Sequence, residues 1–218
     1  MVSGMLVLAH RGANRLAPEN TVPAMREAVE RGADGVELDV HRTADGVLVV
    51  RHDADPAAVR AAYPDSPTLA EVLDVCRGRV VNVEIKDPHA TDDVVALVAD
   101  AEQVLVSGFD WAVVDRVRAL APHLPTGLLS FGLPPDEVLL TAVLGRHTAV
   151  HPDVWTLLTI DVAAFVARAH DQGVQVNAWT VNDAGQVELL RDAGVDAVIT
   201  DDEQLYRYGT TRSRQSGA

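Results

Sequence analysis

Short apolar runs alternate along the chain with longer stretches in which apolar residues recur every three or four positions. The short runs have the length and composition of buried β-strands, and the longer stretches have the period of amphipathic helices. The pattern predicts strands at 5–9, 35–40, 80–85, 104–107, 126–130, 148–150, 174–178 and 197–200. It predicts helices at 22–31, 69–76, 92–100, 111–120, 136–144, 161–172, 184–192 and 203–206.

The order of these elements indicates an α/β fold. Three predicted helices end at a glycine that precedes a strand, Gly32, Gly173 and Gly194, which suits the left-handed residue after a helix. Alternating strands and helices imply a mainly parallel sheet, and eight pairs favour a compact (β/α)8 TIM barrel. A doubly wound open sheet is the alternative, but no G-x-G-x-x-G follows the first strand. We expect one domain over 1–208 and a disordered tail over 209–218, because that last stretch is polar.

The second predicted strand carries two acidic side chains on one face. Glu37 and Asp39 alternate with Val36, Leu38 and Val40, and strand side chains alternate between the two faces. On an antiparallel strand the carboxylates could face water, but both faces of a parallel barrel strand are covered. The barrel therefore predicts that Glu37 and Asp39 lie at the strand's C-terminal end, where barrel enzymes build their active sites.

Other residues with useful chemistry stand at equivalent strand ends. They are His10, Arg11, Glu84, Lys86 and Trp179. An Asp-Gly turn at 45–46 is expected to fold the next apolar run back and carry His52 to the same mouth. Trp179 could stack on a substrate or only fill space. Asp201 and Asp202 are expected to be helix N-caps, and His151 a loop residue.

This collection suits metal-assisted phosphoryl chemistry. The carboxylates of Glu37, Asp39 and Glu84 are hard oxygen ligands, which favour one divalent cation, Mg²⁺ or Ca²⁺. An Arg fork and a Lys point charge can hold a phosphate, and two histidines can exchange protons near neutral pH. Together these groups meet the needs of phosphodiester cleavage, in which charge on the phosphoryl oxygens is neutralised and the leaving alkoxide is protonated.

Composition restricts the partners. The 218 residues carry a formal charge of −14, which argues against nucleic acid and against electrostatic docking to anionic membranes. There is one cysteine, Cys76, which rules out an internal disulfide. The sequence contains no recognisable signal peptide and no apolar run long enough for a transmembrane helix, so we expect a cytoplasmic protein without stable membrane anchoring. The oligomeric state is left open.

Five motifs resemble those of glycerophosphodiester phosphodiesterases. They are AHRGANRLAPENT, GVELDVHRTADGVLVVRHD, VNVEIK, VNAWTVND and GVDAVITDD, in this order along the chain. The resemblance implies a TIM barrel that hydrolyses glycerophosphodiesters to glycerol 3-phosphate and an alcohol with a divalent metal. The positions that it assigns are an acid/base pair, His10 and His52; metal ligands, Glu37, Asp39 and Glu84; phosphate contacts, Arg11 and Lys86; and supporting or substrate-positioning residues, Glu19 and Asn20.

One departure from that family follows His52. Many members have a longer insert there, often starting with Arg-Thr-Thr, whereas this chain reaches its next helix quickly. The capping insertion is therefore expected to be short or absent. A more open mouth would admit larger alcohols, so a lysophospholipase D- or C-like activity on lipids is an alternative. A non-catalytic barrel that binds phosphorylated ligands is a further one.

Overall fold

The computed structural model describes residues 4–210 and shows a closed barrel of parallel strands surrounded by helices. The strands are β1 (Leu6–His10), β2 (Gly35–Arg42), β3 (Leu48–Val50), β4 (Val80–Ile85), β5 (Val104–Gly108), β6 (Thr126–Ser130), β7 (Ala149–Pro152), β8 (Gln175–Ala178) and β9 (Ala197–Thr200). All except β3 form the barrel, in the order β1-β9-β8-β7-β6-β5-β4-β2, and parallel pairing of β1 with β2 closes it. The predicted TIM barrel is confirmed.

Helices follow the barrel strands as the apolar periodicity predicted. They are α1 (Val22–Glu30), α2 (Leu69–Val75), α3 (Thr91–Val98), α4 (Trp111–Leu120), α5 (Pro135–Gly145), α6 (Val154–Leu157), α7 (Val162–Asp171) and α8 (Ala184–Asp192). Short 3₁₀ segments occupy Arg60–Ala62, Pro88–Ala90 and Glu203–Tyr208. The helix predicted at 203–206 is thus a 3₁₀ helix, and α6 is an additional turn that the periodicity did not predict.

Side-chain caps fix where several helices begin. Thr68 and Glu71 form a reciprocal capping box at α2, and Asp110, Asp161 and Asp183 each accept a backbone hydrogen bond at the start of α4, α7 and α8. Each cap satisfies a backbone N–H that the first helical turn leaves unpaired. Asp110 and Asp183 lie in loops that connect the C-terminal end of a barrel strand to the following helix, so these two caps also hold the rim of the barrel mouth.

The two faces of β2 have different surroundings. Val36, Leu38 and Val40 are fully buried and belong to the apolar core, whereas Glu37 and Asp39 point to the opposite face. β3 pairs antiparallel with β2, with Val50 opposite Val40, so the chain folds back after the turn at 45–46 as expected. The link from β3 to α2 contains only a single 3₁₀ turn, which leaves the barrel mouth without a large cap.

The ends of the chain are described only in part. Residues 211–218 of the predicted tail lie outside the described residues, whereas the backbone N and Oγ1 of Thr210 donate to Asp34 at 3.1 and 2.8 Å. Across residues 4–210, no helix is both long and apolar enough to cross a membrane.

Candidate active site

The strand register brings three acidic side chains together at the mouth. His10 is paired with Glu37 across β1 and β2, and Asp39 is paired with Glu84 across β2 and β4. Glu37, Asp39 and Glu84 each place one carboxylate oxygen within 4.8 Å of the others. All three are buried, and Asp39 is 0 % exposed. The sequence prediction that these residues form one cluster is met by this geometry.

The cluster holds more negative charge than its cations neutralise. Burial, reinforced by Asp39 and Glu84, raises the pKa of Glu37 well above its usual value. Burial and the neighbouring Asp39 also raise the pKa of Glu84. Arg11 Nε lies 3.0 Å from Asp39 Oδ2, and Lys86 Nζ lies 2.9 Å from Glu84 Oε1. Two cations therefore face three carboxylates, and burial makes the remaining charge costly.

This arrangement fits a hard divalent cation. Asp39 Oδ1 is buried and accepts no hydrogen bond from any described residue, and carboxylate oxygens are the ligands that Mg²⁺ and Ca²⁺ prefer. Burial and the neighbouring carboxylates raise the pKa of Glu37, and a dication among the three side chains would compensate the carboxylate charge. The residues therefore have the donor atoms, the proximity and the charge for a metal site.

Two residues of the PENT motif support this cluster. Arg11 Nη1 donates to both carboxylate oxygens of Glu19 at 3.1 Å. Asn20 Nδ2 donates to Asp39 Oδ2 at 2.9 Å, and Asn20 Oδ1 accepts from the backbone N of Asp39 at 3.3 Å. Glu19 thus orients the guanidinium, and Asn20 orients the Asp39 carboxylate. Neither residue lines the cavity that the two candidate histidines face.

The two candidate histidines face one cavity of about 220 Å³. Its lining residues are His10, Arg11, Glu37, His52, Asn82, Glu84, Lys86, Phe109, Leu129, Trp179 and Ile199. His10 Nε2 lies 3.8 Å from Glu37 Oε2, and its Nδ1 lies 2.7 Å from Asp201 Oδ1. His52 Nδ1 lies 3.0 Å from Asp53 Oδ1, while His41 Nε2 bonds the His52 carbonyl at 2.9 Å. The predicted site residues thus either line this cavity or contact residues that do.

The expectation that Asp201 caps a helix is wrong. Asp202 is the N-cap of the final 3₁₀ helix, and the Asp201 carboxylate instead accepts from Asn14 at 2.6 Å and Asn182 at 2.8 Å, beside its contact with His10. Burial alone would raise the pKa of Asp201, but hydrogen bonds from its three side-chain partners hold it well below the usual range. The sequence did contain one indication of this role, because Asp201 directly follows β9 at a position equivalent to that of His10 at the end of β1.

His151 and Asn82 also differ from the sequence interpretation. His151 is not a loop residue: it lies in β7, is fully buried and has its Nε2 3.0 Å from Asn177 Nδ2. Burial lowers the pKa of His151 to about 3. Asn82, in the middle of β4, lines the cavity although the sequence analysis did not select it. A mid-strand amide gives no sequence signal until the fold shows that it faces the barrel interior.

Trp179 forms one wall of the mouth. Its indole Nε1 donates to the His151 carbonyl at 2.8 Å. The ring centroid lies 5.4 Å from that of Phe109 and 6.4 Å from that of Phe131. Phe109 directly follows β5 and Phe131 directly follows β6, and neither was predicted from the sequence to be a site residue. Three loops thus contribute to one aromatic surface beside the polar cluster.

Comparisons of the sequence with a family model and with individual known proteins agree on one family. Residues 10–72 and 56–205 of the chain match the sequence model of the "Glycerophosphoryl diester phosphodiesterase family". A glycerophosphodiester phosphodiesterase of Caldanaerobacter subterraneus is 32% identical, over 91% of this chain and 95% of that protein. A probable glycerophosphodiester phosphodiesterase 1 of Mycobacterium tuberculosis is 30% identical, over 87% of this chain and 86% of that protein.

Solved structures share the fold. The glycerophosphodiester phosphodiesterase of Thermotoga maritima superposes with a TM-score of 0.84 and 26% identity, over 93% of this chain and 97% of that one. A phosphodiesterase of Oleispira antarctica, solved in complex with the product sn-glycerol-3-phosphate, has a TM-score of 0.83 and 24% identity, over 94% of this chain and 96% of that one.

Proposed function

Because the chain belongs to the glycerophosphoryl diester phosphodiesterase family, we propose that it hydrolyses glycerophosphodiesters to glycerol 3-phosphate and an alcohol. The observation that carries this proposal is the cavity at the C-terminal end of the barrel. Three buried carboxylates, two cations and two histidines converge there. These groups are the ones that cleavage of a phosphodiester requires.

Glu37, Asp39 and Glu84 would hold one divalent cation, Mg²⁺ or Ca²⁺. When bound, the cation would act as a Lewis acid that withdraws charge from the phosphoryl oxygens. Arg11 and Lys86 line the same cavity, so their free N–H groups can donate to the phosphate. Glu19 limits the rotation of the Arg11 guanidinium, which lowers the entropic cost of placing it against the phosphate.

His10 and His52 would carry the protons. An oxygen nucleophile forms the new bond to phosphorus while the bond from phosphorus to the alcohol oxygen breaks. One histidine takes the nucleophile's proton, and the other gives a proton to the departing alcohol. Both line the cavity, and Asp201 and Asp53 each contact the Nδ1 atom of one of them. The contact with Asp201 therefore orients the His10 ring with its Nε2 available for proton transfer.

A lysophospholipase D- or C-like activity is a second candidate. It is favoured by the open mouth, because the link from β3 to α2 carries only one 3₁₀ turn and Phe131 at the rim is 68 % exposed. An acyl chain extending from the cavity would meet apolar surface rather than a cap. Comparing lysophosphatidylcholine with water-soluble diesters as substrates distinguishes the two activities.

The test is release of glycerol 3-phosphate from glycerophosphocholine with added Mg²⁺ or Ca²⁺, with and without chelator. We expect chelation to abolish turnover and His10→Ala to lower kcat by about 10²–10⁴-fold, the usual contribution of a general acid or base. His89→Ala is the matched control, since His89 is exposed and outside the cavity. If none of a panel of glycerophosphodiesters is hydrolysed, the substrate assignment fails. A wild-type rate in His10→Ala would refute the proton-transfer role.

A further inference from the structure

A second cavity adjoins the active-site cavity. It measures about 430 Å³ and lies among the loops after β6, β7 and β8. Trp179 lines both cavities. Trp179 is therefore the shared wall past which the alcohol part of a substrate held beside Arg11 and Lys86 would have to extend to reach the second cavity.

The lining of the second cavity has the composition of a cation site. It contains three aromatic side chains, Phe131, Trp155 and Trp179, and two carboxylates, Asp153 and Asp183. Among the described residues that line it there is no Lys or Arg. Aromatic faces attract cations through their ring quadrupole, and quaternary ammonium groups are bound in this way. Trp155 is 70 % exposed and Phe131 is 68 % exposed, so their surfaces are open to a ligand.

The two carboxylates are held in place by the backbone. Asp153 accepts from the backbone N of Gly132 at 2.9 Å and of Thr156 at 3.0 Å. Asp183 accepts from the backbone N of Gln186 at 3.0 Å. Both are helix N-caps, so their position is fixed before any ligand binds. Fixed negative charge beside aromatic faces favours a positively charged group over a neutral one of the same shape.

An aromatic surface connects the two cavities. Phe109 lines the active-site cavity, Phe131 lines the second cavity, and Trp179 stands between them at centroid distances of 5.4 and 6.4 Å. Lys86 Nζ already lies 5.8 Å from the Phe109 ring centroid. The three rings therefore form an aromatic surface that extends from Lys86 to the second cavity.

We propose that the second cavity binds the quaternary ammonium group of a choline-type alcohol, so that the enzyme prefers phosphodiesters whose leaving alcohol carries a trimethylammonium group. The inference rests on the proposed function and specifies its substrate class. A trimethylammonium group has no N–H to donate, so it depends on aromatic faces, which this cavity supplies. The same group occurs in free glycerophosphocholine and in lysophosphatidylcholine.

The experiment compares kcat/KM for the choline diester with that for its neutral isostere, the 3,3-dimethylbutyl diester, and for the ethanolamine diester. We expect the wild type to prefer the choline diester over the isostere by about fivefold or more, the effect of cation–π contacts at partly exposed sites. Trp155→Leu, which keeps apolar bulk, should reduce this preference about threefold. Asp183→Asn, which keeps the capping oxygen but removes the charge, should reduce it as well.

Leu133→Ala is the control, because Leu133 shares the loop of Phe131 but lines neither cavity; the preference should stay at its wild-type value. Equal rates for choline diester and isostere would overturn the cation site while leaving the proposed function intact. A preference for ethanolamine over choline would also overturn it. A Trp155→Leu effect confined to lysophosphatidylcholine would assign the cavity to the acyl chain instead and refute the proposal. No hydrolysis of any diester would refute both proposals.

Discussion

Replacing Asp201 with Asn should disable His10 without removing any atom from the cavity. In the wild type both carboxylate oxygens accept hydrogen bonds: Oδ1 lies 2.7 Å from His10 Nδ1 and accepts from Asn14, and Oδ2 accepts from Asn182. A carboxylate cannot donate, so His10 Nδ1 must carry a proton. Nε2 is then the atom that gains or loses a proton, whichever catalytic role His10 has.

The side-chain amide in Asp201→Asn would have one NH₂ group that must face a former donor. Asn182 cannot rotate easily to accept it, because its Oδ1 already accepts from the backbone N of Asp201 at 2.8 Å and from Thr200 at 3.1 Å. The NH₂ group therefore settles on the side of His10 and Asn14, where the Asn14 amide must turn its oxygen towards it and Nδ1 of His10 must accept. The neutral ring then carries its proton on Nε2, the wrong atom. Loss of a hydrogen bond to a charged partner costs about 1.5–3 kcal/mol, which corresponds to a kcat lower by about 10- to 150-fold.

The assay is kcat for glycerophosphocholine at saturating substrate and metal, together with ¹⁵N NMR of the histidine ring nitrogens. Asp202→Asn is the matched control, because it is the same substitution next along the chain and Asn retains the helix cap that Asp202 provides. We expect the control to keep the wild-type rate, and only Asp201→Asn to shift the His10 proton from Nδ1 to Nε2. The reasoning is refuted if the two variants have the same kcat, or if Nδ1 of His10 stays protonated in the neutral ring of Asp201→Asn.

Three further predictions concern metal, pH and thiol chemistry. Mg²⁺ or Ca²⁺ at a hundred times its dissociation constant should stabilise the protein by about 2.7 kcal/mol, measured as a rise in melting temperature, and Glu84→Gln should lose most of this gain; an equal gain in the variant would contradict the carboxylate site. Burial lowers the pKa of His151 to about 3, so the unfolded chain takes up a proton below pH ~6.5 that the folded protein does not, and stability falls as the pH falls. Between pH 7 and 5 the free energy of unfolding, measured with urea, should fall by about 2 kcal/mol in the wild type, and this contribution should be missing in His151→Gln. Equal pH dependence in both proteins would show that His151 is not held neutral. Burial raises the pKa of the Cys76 thiol to about 12, so a thiol reagent at pH 8 should label Cys76 only after unfolding, and rapid labelling of the native protein would contradict its burial.

Periodicity was sufficient for those parts of the site that depend on one strand. The alternation of Glu37 and Asp39 with apolar residues determines their shared face, and a closed parallel barrel leaves that face only the interior. The Asp-Gly turn similarly predicted that the chain reverses before His52, and β3 does pair antiparallel with β2. These inferences needed only local geometry and the fold class.

Contacts between distant strands could not be predicted in the same way. His10 and Asp201 are 191 positions apart, and their contact depends on the register with which β9 closes the barrel against β1. Asp201 and Asp202, which follow β9, both precede a predicted helix. The sequence therefore predicted that both are N-caps, although only Asp202 is one. β7 was predicted to end at residue 150, but it continues to Pro152 and takes His151 into the barrel. The aromatic surface needed three loops to be placed relative to one another.

The charge balance at the barrel mouth depends on whether a cation is bound there. With every group ionised, Glu37, Asp39 and Glu84 outweigh Arg11 and Lys86 by one negative charge, and a dication would reverse that sign. Burial and the neighbouring carboxylates raise the pKa values of Glu37 and Glu84, so both groups hold a proton to higher pH than a free carboxylate does. Protons and a cation would therefore compete for these carboxylates, so acid should weaken cation binding. A phosphodiester approaching a protein of charge −14 would meet a more favourable potential at this mouth once a cation had bound there. The carboxylates that would repel the substrate in the free protein would thus make its binding conditional on the proposed metal.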